Sequence, residues 1–155
     1  AIEAQIFGPH PLVLVAAPGH RLVGRRGLRR ADLGEESFLV REEGSGTRTV
    51  FEEYMAGIIT RRANLVIDSG SNETIKQAVM AGLGIAFISA HTVAWEVEAG
   101  RLAVLDVVGL PIRRQWFAIS RADRAVTPSI GAFRGFLESK GATFLPVLGK
   151  LYPAT

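Results

Sequence analysis

Apolar runs of four to six residues alternate along this chain with amphipathic stretches of about ten, the pattern of βαβ units in which helices cover a sheet. Strands are expected at Leu12–Ala17, Phe38–Arg41, Asn64–Asp68, Ile85–Ser89, Leu102–Val107 and Gln115–Ser120. Leu12–Ala17 and Ile85–Ser89 are continuously apolar, which predicts strands buried on both faces. The fold class that follows is α/β: a mixed, mostly parallel sheet with helices on both faces.

Helices fill the gaps. Thr49–Gly57 places Val50, Phe51, Tyr54, Met55 and Ile58 on one side, and Thr49 with Glu52 fits a capping box. Asn72–Ala81 gathers Ile75, Ala78 and Val79, starts after Ser71 as N-cap with Glu73 in its first turn, and stops at Gly82. Two further helices are expected over Thr92–Ala99, stopped by Gly100, and Pro128–Lys140, opened by Pro128 and closed by Gly141. The last has an apolar face of Ile130, Phe133, Phe136 and Leu137 that must cover something, while 142–155 reads as a tail.

Composition narrows the class. With 48% apolar residues in 155, the chain can bury one substantial core. Its longest apolar stretches, Leu12–Ala17 and Ala81–Ala90, fall short of the roughly 18 to 20 residues a bilayer span needs, so no membrane helix is expected. The first residues show no secretory pattern, and a cytoplasmic protein is the default expectation. The absence of cysteine excludes disulfides, thiolate nucleophiles and zinc–thiolate sites. A start on Ala1 without Met, close before a buried-looking strand, predicts an excised piece of a longer chain.

Net charge is 18 − 15 = +3, carried largely by arginine. Arg21, Arg25, Arg26, Arg29 and Arg30 crowd into one turn, and the remainder is close to neutral. Without interleaved aromatics or a groove-reading element, such a cluster reads as a solvated loop.

In open α/β sheets, ligands sit beyond the carboxyl ends of strands, where loops lead into helix N-termini. Two loops have that place here. One is Glu42-Glu43-Gly44-Ser45-Gly46-Thr47-Arg48; the other is Ser69-Gly70-Ser71-Asn72-Glu73-Thr74. Both are rich in glycine and hydroxyl residues, which let an anion approach backbone N–H groups that lack intrahelical partners. Arg48 and Lys76 add positive charge, partly offset by Glu42, Glu43 and Glu73. For either loop alone ordinary helix capping is the simpler explanation. Two such loops on neighbouring strands favour an anion site.

Other chemistry is poorly represented. Gly82-Leu83-Gly84 lacks the last glycine of a dinucleotide fingerprint and follows a helix instead of a strand, so Gly82 is a helix terminator. No nucleophile elbow or phosphate loop occurs, and no cofactor is expected. His10, His20 and His91 have no neighbouring ligand at metal spacing, so no metal site is expected.

Pro11–His20 with the arginine-rich turn, then Phe38-Leu39-Val40-Arg41-Glu42-Glu43-Gly44-Ser45-Gly46-Thr47-Arg48, and above all the run from Ser71 to Ser89, resemble the effector-binding domain of LysR-type transcriptional regulators. Within that family the chain is most similar to regulators of RuBisCO (Calvin-cycle) operons, over about residues 5 to 140. The resemblance implies a type 2 periplasmic-binding-protein-like fold, with two subdomains joined by two crossover strands and a small effector between them. Residues 1–16 would be a remnant of the first subdomain and a crossover, 17–115 the second subdomain, 116–140 the return crossover and last helix, and 141–155 a tail. The first subdomain is then incomplete.

The family's cleft residues carry over to Ser45, Gly46 and Thr47 and to Ser71, Asn72 and Thr74, with His10 beside the crossover. The implied function is non-enzymatic: sensing a small anionic effector, a phosphorylated metabolite or NADPH, to control transcription. The implied partners are a second copy in a homodimer or homotetramer, and operator DNA only through an N-terminal domain outside this sequence. Two rivals are a solute-binding receptor of the same fold and an enzyme fragment that uses Glu42 or Glu43 as a base.

Overall fold

The structure, a computed structural model, describes residues 1–58 and 65–149. Its elements are β1 (Ile2–Ala16), β2 (Phe38–Arg41), α1 (Gly46–Tyr54), β3 (Leu65–Ser69), α2 (Asn72–Met80), β4 (Ile85–Ser89), α3 (Ala90–Glu98), β5 (Ala103–Val104), β6 (Ile112–Arg121) and α4 (Pro128–Lys140), with 3-10 turns at Arg30–Leu33 and Gly141–Phe144.

The strands form one mixed sheet in the order β3-β2-β4-β1-β5, and β6 also pairs with β1. Strand β2 runs parallel to β3 and β4, whereas β1 is antiparallel to β4, β5 and β6. The expected α/β fold with a mixed sheet is therefore present, but the sheet is not mostly parallel, because β1 pairs antiparallel with all three of its neighbours.

Alternation along the strands divides the interior into two cores. Leu12, Leu14, Phe38, Val40, Ile85 and Phe87 face one side and meet Phe51 and Met55 of α1. Val13, Val15, Leu39, Ala86 and Ile88 face the other and meet Ile75 and Val79 of α2 and Val93 of α3. Strands buried on both faces explain why Leu12–Ala16 and Ile85–Ser89 carry no polar alternation.

Helix ends follow their local signals. Ser71 Oγ accepts from Thr74 N at 3.3 Å, and Thr127 Oγ1 accepts from Ile130 N at 3.4 Å ahead of Pro128. After α2, Gly82 N donates to Val79 O and Leu83 N to Ala78 O, a Schellman closure with Gly82 at φ 80°. Gly100 closes α3 in the same way.

Several boundaries differ from the sequence reading, each for a tertiary reason. Strand β1 starts at Ile2 instead of Leu12, because β6 supplies ladder partners from Ile2↔Arg121 to Leu12↔Ile112. For the same reason β6 begins at Ile112 and not at Gln115. The expected strand Leu102–Val107 reduces to Ala103–Val104, since Val107 turns away to bridge with Leu28. Of the expected strand Asn64–Asp68, Asn64 lies outside the described residues.

Helix α1 starts at Gly46, one turn before Thr49, so Thr49 and Glu52 do not form a capping box. Thr49 Oγ1 donates to Ser45 O at 3.2 Å, and Glu52 accepts from Arg48 Nε at 2.8 Å, an i,i+4 pair that supports the extra turn. Helix α3 likewise begins at Ala90 instead of Thr92, directly after β4.

The region at 142–145 is less of a free tail than its composition implies. A Cβ on Gly8 would sit 2.4 Å from Leu145 Cδ1, and one on Gly141 would sit 3.3 Å from Phe7 Cδ2. These contacts hold the end of α4 against the bulge in β1 between Ile6 and Gly8.

Gly84 shows how tightly α2 returns to the sheet. A Cβ there would lie 2.4 Å from Ser37 O, the acceptor for Ile85 N. Gly84→Ala is expected to lower stability by about 2 kcal/mol, in the range of overpacked sites. Gly19→Ala, with nothing within 4 Å, should be nearly neutral. Urea melts of the two variants check this; equal midpoints contradict the packing described.

Candidate functional site

Strands β2, β3 and β4 are parallel, so Arg41, Ser69 and Ser89 end at one edge of the sheet. Each strand leads into a helix, at Gly46, Asn72 and Ala90. Three sets of helix N-terminal N–H groups and the positive ends of three helix dipoles therefore gather at that edge. Strand β1 runs the other way and crosses the same edge, with Leu12 opposite Ser89 and His10 beyond it. The crevice beyond the carboxyl ends of parallel strands such as β2, β3 and β4 is where open α/β sheets place ligands.

The first predicted loop leads directly into α1. Ser45 is the N-cap of α1, yet its side chain makes no capping hydrogen bond. Gly46 is exposed and Thr47 half-buried in the first turn. Gly44 at φ 87° turns the chain from β2 into the helix, a conformation that favours glycine. Arg114 Nη1 donates to Gly46 O at 3.2 Å, which sets a guanidinium beside the helix start.

Arg48 does not contribute its charge to an anion, contrary to the sequence reading. Its side chain is buried; Nη1 donates to Arg41 O at 3.0 Å and Nε to Glu52 Oε1 at 2.8 Å, so it clamps the end of β2 to α1. The guanidinium that does lie beside the start of α1 is that of Arg114. Sequence reasoning missed Arg114 because only the β1–β6 register brings it to this edge, opposite His10.

The second loop is already engaged. Ser71 caps α2 and its N–H donates to Ser69 Oγ at 3.1 Å. Asn72 Oδ1 accepts from Arg41 Nη1 at 2.9 Å, while Thr74 is exposed. Lys76 also departs from its expected role: Nζ lies 2.7 Å from Glu96 and 2.9 Å from Glu73, joining α2 to α3. Burial alone would lower the Lys76 pKa, but these two carboxylates outweigh it and raise it.

Arg41 ties the two loops together, since its Nε and Nη2 donate to Glu42 at 2.8 and 2.9 Å while Nη1 reaches Asn72. Those bonds hold the Glu42 carboxyl below its usual range, so it stands here as a paired carboxylate. Ser45–Thr47 and His10 thus converge through Arg114. Ser71–Thr74 stands to one side, beyond Arg41.

His10 belongs to an aromatic cluster. Its ring stacks on Trp116 with centroids 3.8 Å apart, and Trp116 Nε1 donates to His91 Nδ1 at 3.0 Å. The His10 pKa is lowered to about 4, first by burial and then by His91 and Arg114. Burial also lowers His91. Both rings are consequently neutral near pH 7. No group of three or more potential metal ligands occurs among the described residues.

The family model described as "LysR substrate binding domain" matches residues 1–142. The chain belongs to that family. It is 54% identical over 153 residues to the HTH-type transcriptional regulator CbbR of Sinorhizobium medicae, covering 99% of this chain and 49% of the relative. It is 43% identical over 143 residues to the RuBisCO operon transcriptional regulator of Allochromatium vinosum, covering 91% of this chain and 46% of the relative. The chain thus spans about half the length of the curated relatives it matches. Among solved structures, the Synechocystis CcmR regulatory domain in complex with 2-PG superposes with a TM-score of 0.80 and 32% identity, over 89% of this chain and 66% of that one.

The His10 shift carries a signed pH dependence. Its folded pKa, about 4, lies below the ordinary histidine value of 6.5, so above pH 6.5 neither state binds the proton and stability is unaffected. Between pH 6.5 and about 4 the unfolded chain takes up a proton that the folded chain refuses, and stability falls as pH drops. His10→Gln should make the loss of stability across this window shallower, leaving the part due to His91. Denaturation midpoints measured every half pH unit check this; identical slopes for both proteins contradict it.

Proposed function

We propose that this chain is the effector-sensing domain of a LysR-type regulator of CO2-fixation genes, and that it binds a small phosphorylated anion at the carboxyl edge of its sheet. The observation that carries the reading is the start of α1: an N-cap hydroxyl with no side-chain capping bond, first-turn N–H groups that helix geometry leaves without intrahelical acceptors, and Arg114 against Gly46. The related CcmR domain, which binds 2-phosphoglycolate, supports a phosphorylated acid as the ligand class. Ser45, Gly46 and Thr47 are the principal contacts, with Ser71, Asn72 and Thr74 flanking them and His10 on the crossover strand.

In this reading residues 17–115 form one wall of the cleft, and residues 1–16 and 116–140 belong to the subdomain that forms the other. Exposed Ile2, Ile6, Phe117 and Ile119 on the β1–β6 ribbon, and Ile130, Phe133 and Phe136 on α4, are the surface that subdomain covers. An effector that bridges both walls favours one subdomain angle through its differential affinity, and this angle is what the DNA-binding part of the protein responds to. The regulator works in the cytoplasm as a homo-oligomer and is not an enzyme. Relatives that are transcriptional regulators, and a Glu42 paired with Arg41, favour this over a transport receptor or an enzyme.

Thr47→Val removes one hydroxyl from the anion's neighbourhood with little change in shape. In the full-length gene product it should weaken the response to 2-phosphoglycolate about tenfold, as expected for one hydrogen bond to a charged group. Operator affinity without effector should stay the same. Effector titrations of operator binding by fluorescence anisotropy check this, and an unchanged effector midpoint contradicts the assignment.

A further inference from the structure

The cluster of His10, Trp116 and His91 has features that packing alone does not explain. His10 Nε2 and Ser89 Oγ are both buried without a hydrogen-bond partner, and Ser89 is only 5% exposed. Buried polar atoms are nearly always paired, so two orphans in one patch point to a partner that arrives from outside the chain. They do share a patch: Ser89 lies opposite Leu12, and His10 is two residues away on the same face of β1.

The surrounding groups define what that partner is. Trp116 Nε1–H donates to His91 Nδ1, so in the neutral ring the proton is on Nε2 and His91 presents a donor. Arg114 stands opposite His10 in the ladder. The polar groups that meet here, His10, Ser89, His91, Arg114 and Trp116, include a cation and several donors and no carboxylate. This patch is separate from the N-terminal turn of α1, and Arg114 lies between the two.

We propose that the His10–Trp116–His91 stack is a second recognition element, which reads a carboxylate carried by the effector on the side opposite its phosphate. The proposal rests on the phosphorylated-anion reading above and adds which residues of this chain set a preference for a phosphorylated carboxylic acid over a simple phosphate ester. Trp116 is the positioning residue, because it fixes the His91 tautomer. His91 is the residue that determines specificity.

Two ligands of nearly the same size separate the elements: 2-phosphoglycolate, and ethyl phosphate, which has a methyl group where the acid is. Calorimetric titration of the full-length gene product should show about tenfold tighter binding of 2-phosphoglycolate. His91→Phe should reduce that preference to near unity with ethyl phosphate binding unchanged, which also shows that the variant folds. Trp116→Phe keeps the stack but removes the N–H donor, and should reduce the preference several-fold.

If the wild-type preference survives both substitutions, or is absent from the wild type while both ligands bind, the stack does not read the acid and this inference fails alone. If neither ligand binds the wild type, the phosphorylated-anion reading fails and this inference with it.

Discussion

The direction in which β1 runs decides which side chains reach the ends of the parallel strands. The last third of that strand, Leu12–Ala16, is buried on both faces and contributes side chains to both cores. Because it runs against β4, it enters the sheet at the edge where β2, β3 and β4 finish. A parallel strand there would have its own carboxyl end at that edge, and neither His10 nor the β6 ladder would lie beside the helix starts. The burial that fixes the fold therefore also fixes the chemistry, since Leu12 is packed in the core while His10, two residues earlier, stands at the edge.

Charge is distributed with the same logic. Three cations near the edge are spent on the scaffold: Arg48 on the end of β2, Lys76 on Glu73 and Glu96, and Arg41 on Glu42 and Asn72. Arg114 Nη1 donates to Gly46 O, and no ion pair to a carboxylate is seen for it among the described residues. A guanidinium of that kind beside the start of a helix is the arrangement on which the proposed anion site rests. The arginine-rich turn, by contrast, is partly tied down. Arg21 pairs with Glu36, Arg29 with Asp32, and Arg30 donates to Tyr54 O, which leaves Arg25 and Arg26 turned to solvent.

What could be read from the sequence was whatever is encoded locally. Ser71, Gly82, Gly100 and Pro128 mark helix ends through neighbouring backbone atoms, and they did so correctly. Continuous apolar runs identified the central strands, and the Ser45–Thr47 loop was found because glycine and hydroxyl residues between a strand and a helix carry their own meaning. What could not be read depends on partners distant in the chain. The first ten residues of β1 look unremarkable until β6 pairs with them, the positions of Arg48 and Lys76 depend on which carboxylate is near in space, and Arg114 reaches α1 only through strand register. His91 was visible only as a histidine without a ligand partner, since its meaning lies in the Trp116 donor.

Anion binding where the start of α1 meets the β1–β6 crossover can be followed by backbone amide NMR of the full-length gene product titrated with 2-phosphoglycolate. Binding in that place puts the largest saturable shifts on Ser45, Gly46 and Thr47 and on β6 around Arg114. Shifts concentrated instead in the open groove between Ala4 and Gln5 of β1 and Gly131 and Arg134 of α4, or no saturable shifts, would contradict it.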